Sequence, residues 1–139
     1  MTAAKFTAAD VQRLLDRVPF VRTLGLVFEE VDGALRSRMP YRPEVVGNPR
    51  VPALHGGALA ALMEIAAQAE LIRATGATRV PRIFSITAEY LRSAALEDTI
   101  GSATVITRSR RFANLRVELR QASSERPVAA ATVQFLLVE

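Results

Sequence analysis

Along Asn114-Leu115-Arg116-Val117-Glu118-Leu119-Arg120, apolar and polar residues alternate, the period of a strand with one face in a core and the other in solvent. From about Gly56 to Thr75 the pattern changes. Apolar residues fall on nearly every side of a helical projection, and Gly76 stops the run. A helix of that kind must be enclosed. Arg82 to Arg92, Thr99 to Arg108, Phe112 to Gln121 and Pro127 to Val138 read as strands, separated by Glu97-Asp98, Arg110-Arg111 and Ser123-Ser124-Glu125. Ahead of the long helix, Leu24 to Val31 and Leu35 to Met39 read as a strand pair around Asp32-Gly33, a hairpin signal. Thr7 to Val18 reads as an N-terminal helix. Thr7 caps it, Asp10 reciprocates, and Val11, Leu14, Leu15 and Val18 form a stripe that Pro19 ends. Between Pro40 and Leu54, Pro40, Pro43, Gly47, Pro49 and Pro52 exclude regular structure, so this loop is expected to run straight into the long helix and shape a pocket.

Helix, two strands, long helix, four strands is an α+β order, without repeats or low-complexity segments. A curved antiparallel sheet of about five to six strands wrapped around the long central helix satisfies both patterns. At 139 residues the chain reads as a single domain, 1–139, with a helix over about 7–18 and a core over about 20–138.

Composition then removes several classes. There is no cysteine, which excludes disulfides and thiolate chemistry, and the single histidine argues against a metal site. The net charge is +4, yet the arginines are scattered except for Arg108, Arg110 and Arg111, and no Trp offers a stacking platform. Nucleic acid is therefore not an expected partner. The apolar run Ala58 to Ile72 is too short to span a bilayer and contains Glu64, Gln68 and Glu70. Residues Met1 to Thr7 lack the apolar core of a signal peptide. The expectation is a cytoplasmic protein with no membrane partner.

One carboxylate departs from the pattern. At 100° per residue, Glu64 shares its helix face with Gly57, Ala60, Ala61, Ala67, Gln68 and Leu71, while Glu70 and Arg73 fall elsewhere. A carboxylate among alanines is costly to bury unless it is paired or used. Nine residues before it, His55-Gly56-Gly57 opens the helix.

The block His55-Gly56-Gly57-Ala58-Leu59-Ala60-Ala61-Leu62-Met63-Glu64 resembles the PaaI-like branch of the hotdog-fold acyl-CoA thioesterases. That signature is His-Gly-Gly, a short apolar run, then Asp or Glu nine residues after the histidine. Ser85 to Ala94 resembles the family's strand after the helix, although Ser93 stands where proline is common. Thr107 to Arg111 resembles its later strand and turn, with Ser109 where glycine is common. The resemblance covers most of residues 20–138. It implies a hotdog fold, hydrolysis of an acyl-CoA thioester, sites at a dimer interface, and no cofactor beyond the CoA carried by the substrate.

Such hydrolysis needs an attacking group, an oxyanion donor and a place for CoA. Glu64, at the family's acidic position, is the candidate general base or nucleophile. The backbone N–H of Gly56, with Gly57 assisting, is the candidate oxyanion donor, because free N–H groups at a helix start carry partial positive charge. His55 either borders the thioester or caps the helix. Gln68, one turn beyond Glu64, either orients the water or carboxylate or is a helix-surface polar residue. Family members often hold the attacking water with Asn or Gln six residues before the histidine. Here Pro49 stands there, which leaves Asn48 as the substitute candidate. The resemblance places Arg108, Arg110 and Arg111 by the nucleotide end of CoA. Leu54, Phe84 and Tyr90, with Phe20 and Leu24, are the candidate acyl pocket.

Gly56 and Glu64 lie eight residues apart, or ~12 Å along a helix. One carbonyl cannot reach both in the same chain, so a site that uses both draws on two chains, in a homodimer or a dimer of dimers. Two other readings compete: a hotdog hydratase or dehydratase acting on acyl thioesters, and a non-catalytic acyl-CoA binding module, which Pro49 favours.

Overall fold

The computed structural model describes residues 4–137. Helix α1 (Ala8–Leu15) opens with the expected reciprocal cap. The Asp10 N–H donates to the Thr7 hydroxyl at 3.2 Å and the Thr7 N–H donates to the Asp10 carboxylate at 2.9 Å. That backbone bond, foremost among several, holds the Asp10 carboxyl below its ordinary value. The chain then departs from a single helix reaching Val18. Helix α1 stops at Leu15 and a second helix, α2 (Pro19–Leu24), follows. Pro19 ends nothing here; it is the first residue of α2, where its fixed φ and missing N–H are tolerated. Gly25, at φ 67°, closes α2, so the next strand begins at Val27 rather than Leu24.

Strands β1 (Val27–Val31) and β2 (Ala34–Met39) form the hairpin read from Asp32-Gly33. Both turn residues have positive φ, 53° and 79°, as a two-residue turn of the primed type requires. The proline-rich segment is more ordered than expected. A 3₁₀ turn at Pro43–Val45 precedes a small hairpin of β3 (Val46–Asn48) and β4 (Ala53–Leu54). Pro40 follows the end of β2, Pro43 starts the 3₁₀ turn, and Pro49 and Pro52 sit in the hairpin loop, where no ladder N–H is needed. After helix α3 (Gly56–Thr75) come β5 (Arg82–Tyr90), β6 (Thr99–Arg108), β7 (Phe112–Gln121) and β8 (Ser124–Leu136). Strand β5 ends at Tyr90, short of Arg92, and β8 begins at Ser124 rather than Pro127. Pro127 is tolerated because β5 pairs with β8 only as far as Ala129, leaving an open edge beyond. Val138 lies outside the described residues.

The large sheet is antiparallel, in the order β1-β2-β6-β7-β8-β5, so β1 and β5 are its edges. Helix α3 packs on β2, β5, β6, β7 and β8. Leu62, Met63, Leu71 and Ile72 are sealed against Leu115, Leu119, Val133 and Phe135 of the sheet. This is the hotdog architecture. Beyond β5, Gln121 fixes the connector from inside: its amide exchanges two 2.9 Å bonds with the Ala95 backbone and donates to the Thr99 hydroxyl. No helix among the described residues is long and apolar enough to cross a membrane.

Helix and sheet meet closely at Gly101 on β6. A Cβ there would lie 3.0 Å from the Ala66 Cβ and 3.2 Å from the Leu119 Cδ2. Gly101→Val should therefore overpack the interface and cost ~1–3 kcal/mol in urea denaturation, with Gly101→Ala costing less. Wild-type stability in Gly101→Val would mean that α3 does not seat on β6 as described.

Candidate active site

The start of α3 is set by the small hairpin before it. Gly47 of β3 faces His55 so closely that a Cβ would lie 2.9 Å from the His55 Cα. The His55 N–H donates to the Val45 carbonyl at 2.7 Å. His55 is the N-cap: its Nδ1 accepts the Gly57 N–H at 2.8 Å, and its carbonyl accepts from Ala58 and Leu59. The first-turn donors are thus accounted for except one. Among the described residues, the Gly56 N–H has no acceptor. Gly57 is already engaged by His55, so in this conformation the assisting role expected of it falls away and Gly56 alone is free to donate. From β5, the Tyr90 hydroxyl donates to the Gly56 carbonyl at 3.0 Å, pinning the end of the edge strand to the helix start.

Glu64 sits mid-helix, half-buried among alanines, with no ion-pair partner among the described residues. Glu70, by contrast, is held by Arg73 through two bonds, of 2.9 and 3.2 Å. The two carboxylates have different fates on one helix, as their faces predicted. Gln68 shares the Glu64 face, but its amide donates to the Pro81 carbonyl at 3.1 Å, tying α3 to the approach to β5. Asn48 is likewise occupied: its Oδ1 accepts the Arg50 N–H at 2.9 Å within the β3–β4 turn. The Asn48 side-chain oxygen thus helps to shape the loop.

The sequence candidates for an acyl pocket do not converge. Leu54 is buried in the core immediately before His55. Tyr90 lies against Gly56. Phe84 is 65% exposed and packs edge-to-face on Phe112, 6.2 Å between ring centroids, on the solvent side of β7. Of the α2 candidates, Leu24 is buried and Phe20 is exposed. Arg108, Arg110 and Arg111 do come together, exposed around one turn between β6 and β7 that Ser109 and Phe112 close with a 2.8 Å backbone bond. None has a carboxylate partner among the described residues. Sequence reasoning missed Gly47, whose only signal was a glycine amid prolines, and the hydrogen bond of Tyr90 to Gly56, for which there was no local signal.

The family model for the acyl-CoA thioesterase N-terminal domain matches residues 47–136. No curated protein sequence matches the chain. Among solved structures, a phenylacetic acid degradation-related protein of Ralstonia eutropha is 25% identical, with TM-score 0.76 over 91% of this chain and 98% of that one. A thioesterase of Haemophilus influenzae is 19% identical, with TM-score 0.81 over 99% and 94%. A mutant thioesterase of Pseudomonas aeruginosa is also 19% identical, with TM-score 0.82 over 99% of each chain. Identities of this size speak for the shared fold. The family match carries more, since it runs from the hairpin that positions His55, through the whole of α3, to the end of β8: the chain belongs to the acyl-CoA thioesterase family.

Proposed function

We propose that this protein hydrolyses an acyl-CoA thioester to the free acid and CoA, at a site shared by two chains. The observation that carries the reading is the pairing of an uncommitted carboxylate, Glu64, with an uncommitted helix-start N–H, Gly56, on one unbroken helix. The carboxylate takes a proton from water as the oxygen attacks the thioester carbonyl, or attacks the carbonyl itself to give a mixed anhydride that water then opens. In both routes the carbonyl oxygen gains negative charge beside a Gly56 N–H, the C–S bond breaks, and CoA leaves as the thiol after taking up a proton. Because α3 is continuous from Gly56 to Thr75, the ~12 Å between the two groups is fixed. Glu64 of one chain therefore works with Gly56 of its partner. The open edge of β5, with Tyr90 and Phe84 exposed and no lysine along it, suits a second copy of the chain. CoA phosphates are assigned to the Arg108–Arg111 turn.

One observation favours a second reading, binding without turnover. Pro49 stands where the family resemblance often places a water-holding amide, and the Asn48 side-chain oxygen already accepts the Arg50 N–H within its own turn.

Glu64→Gln decides between them. It keeps size and helix propensity, so folding should survive while kcat falls by ~10²–10⁴. Activity within about threefold of wild type would remove Glu64 from the chemistry, and a wild type that binds acyl-CoA without releasing thiol would establish the binding module. Shared sites have their own test. Gly56→Pro deletes the free N–H at a position where helices accept proline, after a residue already extended at ψ 128°. Each single variant should be inactive, and mixing them through unfolding and refolding should restore about a quarter of wild-type activity, one intact site in half of the dimers. No recovery on mixing would place both groups in separate sites. For the nucleotide end, Arg110→Ala with Arg111→Ala should raise KM for acyl-CoA more than it lowers kcat. An unchanged KM would assign the turn to solubility.

A further inference from the structure

At the end of α3 away from Gly56, a cavity of about 500 Å³ opens between the helix and the ends of β5 and β8. It lies apart from the candidate active site: His55, Gly56, Glu64 and Gln68 are not among its lining residues. Leu71, Val80, Pro81, Leu136 and Leu137 form its walls, so the interior is mainly apolar. The polar groups around it are already engaged. The Thr75 hydroxyl donates to the Leu71 carbonyl at 2.7 Å, and the Pro81 carbonyl accepts from Gln68. Carbonyls at the helix end are occupied too: that of Ile72 accepts the Gly76 N–H, and that of Arg73 accepts those of Lys5 and Phe6. What remains is charge at the mouth. Arg79 and Arg82 line the cavity and are exposed, and neither has a carboxylate partner among the described residues. The local sequence supplies none, since no Asp or Glu lies between Gly76 and Ala88.

We infer that this cavity is a second binding site, for an amphipathic anion: a free carboxylic acid whose hydrocarbon chain fills the apolar interior while its carboxylate meets Arg79 and Arg82. The volume falls within the ~300–1,000 Å³ of small-molecule sites. Walls without a free donor or acceptor gain from a hydrocarbon and penalise a buried polar group. Charge complementarity then chooses the head. Two guanidinium groups without a partner call for an anion, and a planar carboxylate accepts the forked bonds that arginine makes best. A neutral lipid would leave both arginines unused. The inference goes beyond the hydrolase reading and does not depend on it.

Calorimetry with hexanoate, octanoate, decanoate and 1-decanol tests it without turnover. Affinity should rise by about tenfold for each two carbons added, as burial of methylenes requires. Decanoate should bind tighter than 1-decanol by about tenfold, the gain expected of charged hydrogen bonds. Arg79→Ala with Arg82→Ala should abolish that preference, and Arg79→Lys with Arg82→Lys should recover part of it. Val80→Trp, in the loop before β5, should fill the cavity and weaken acid and alcohol alike. Saturating CoA, and Glu64→Gln, should leave decanoate binding unchanged, because neither reaches the cavity. A wild type that does not bind decanoate, or binds it no better than 1-decanol, overturns the inference. Displacement of decanoate by CoA, or its loss in Glu64→Gln, overturns it too, since the cavity would then belong to the proposed reaction's own site. So does a Val80→Trp variant that binds decanoate normally but changes oligomeric state, which would make this face a contact between copies. Binding to phosphatidylglycerol vesicles that the double alanine variant loses, with no binding of decanoate, would give the arginines to a lipid surface instead. A wild type that binds decanoate as expected yet hydrolyses no acyl-CoA removes the hydrolase reading and leaves this inference standing.

Discussion

Everything in this molecule depends on enclosing one helix. Helix α3 buries residues on all of its sides, from Ala58 and Leu59 in its first turns to Leu71 and Ile72 near its end. No single flat surface can satisfy such a helix, so the sheet must curve around it. The fit is close enough that β6 carries a glycine at the crossing, where a side chain would strike Ala66 and Leu119. The enclosure also makes exceptions visible. On a helix whose sides are otherwise occupied, Glu64 stands out as a half-buried carboxylate without an ion-pair partner among the described residues. Glu70, a few residues away, shows the ordinary solution, a two-bond pair with Arg73.

The same rigidity governs the chemistry. A flexible loop can bring an acid and an oxyanion donor together, but a continuous helix holds Gly56 and Glu64 apart by its fixed rise. Under the proposed hydrolysis, a site that uses both groups is therefore incomplete in one chain. What the chain does complete alone is the donor. His55 caps Gly57 and accepts from Ala58 and Leu59, the β3–β4 hairpin holds His55 through Gly47, and Tyr90 holds the Gly56 carbonyl from β5. Each neighbouring group is tied down and one N–H remains free. Preorganisation of that kind is what a developing oxyanion requires, since no reorganisation is then needed as charge forms.

How much of this was legible depends on whether the deciding force was local. The Asp32-Gly33 hairpin, the capped start of α1, the ends of α3 and the bounds of β6 and β7 follow from turn chemistry and periodicity, and the structure agrees with them. Pro19 was misread because proline signals a boundary without saying on which side the helix lies. The β3–β4 hairpin was hidden because its strands are too short for any period to register. At the site, the departure of Glu64 from an ordinary solvated stripe was readable from its helix face, and the helix start at Gly56 from the loop before it. The engagements of Gln68 with Pro81 and of Asn48 with Arg50 were not, because an amide's partner is chosen by whatever backbone lies within reach.

The two-chain reading also fixes where the partner must approach. For Gly56 of each chain to meet Glu64 of the other across a two-fold axis, the axis would pass between the two copies of α3 level with Ala60, midway between the two groups. Of the residues that share the Glu64 face near that level, Gly57 and Ala60 remain accessible in one chain, while Ala61 and Ala67 are already buried. Small residues let two helices come close at that level, and larger ones would hold the carboxylate of one chain away from the N–H of the other. The alanines around Glu64 thus serve two ends at once. Inside the chain they leave the carboxylate without a polar partner to satisfy it. Across the axis of the proposed dimer, small residues would leave room for the partner's helix start to approach Glu64.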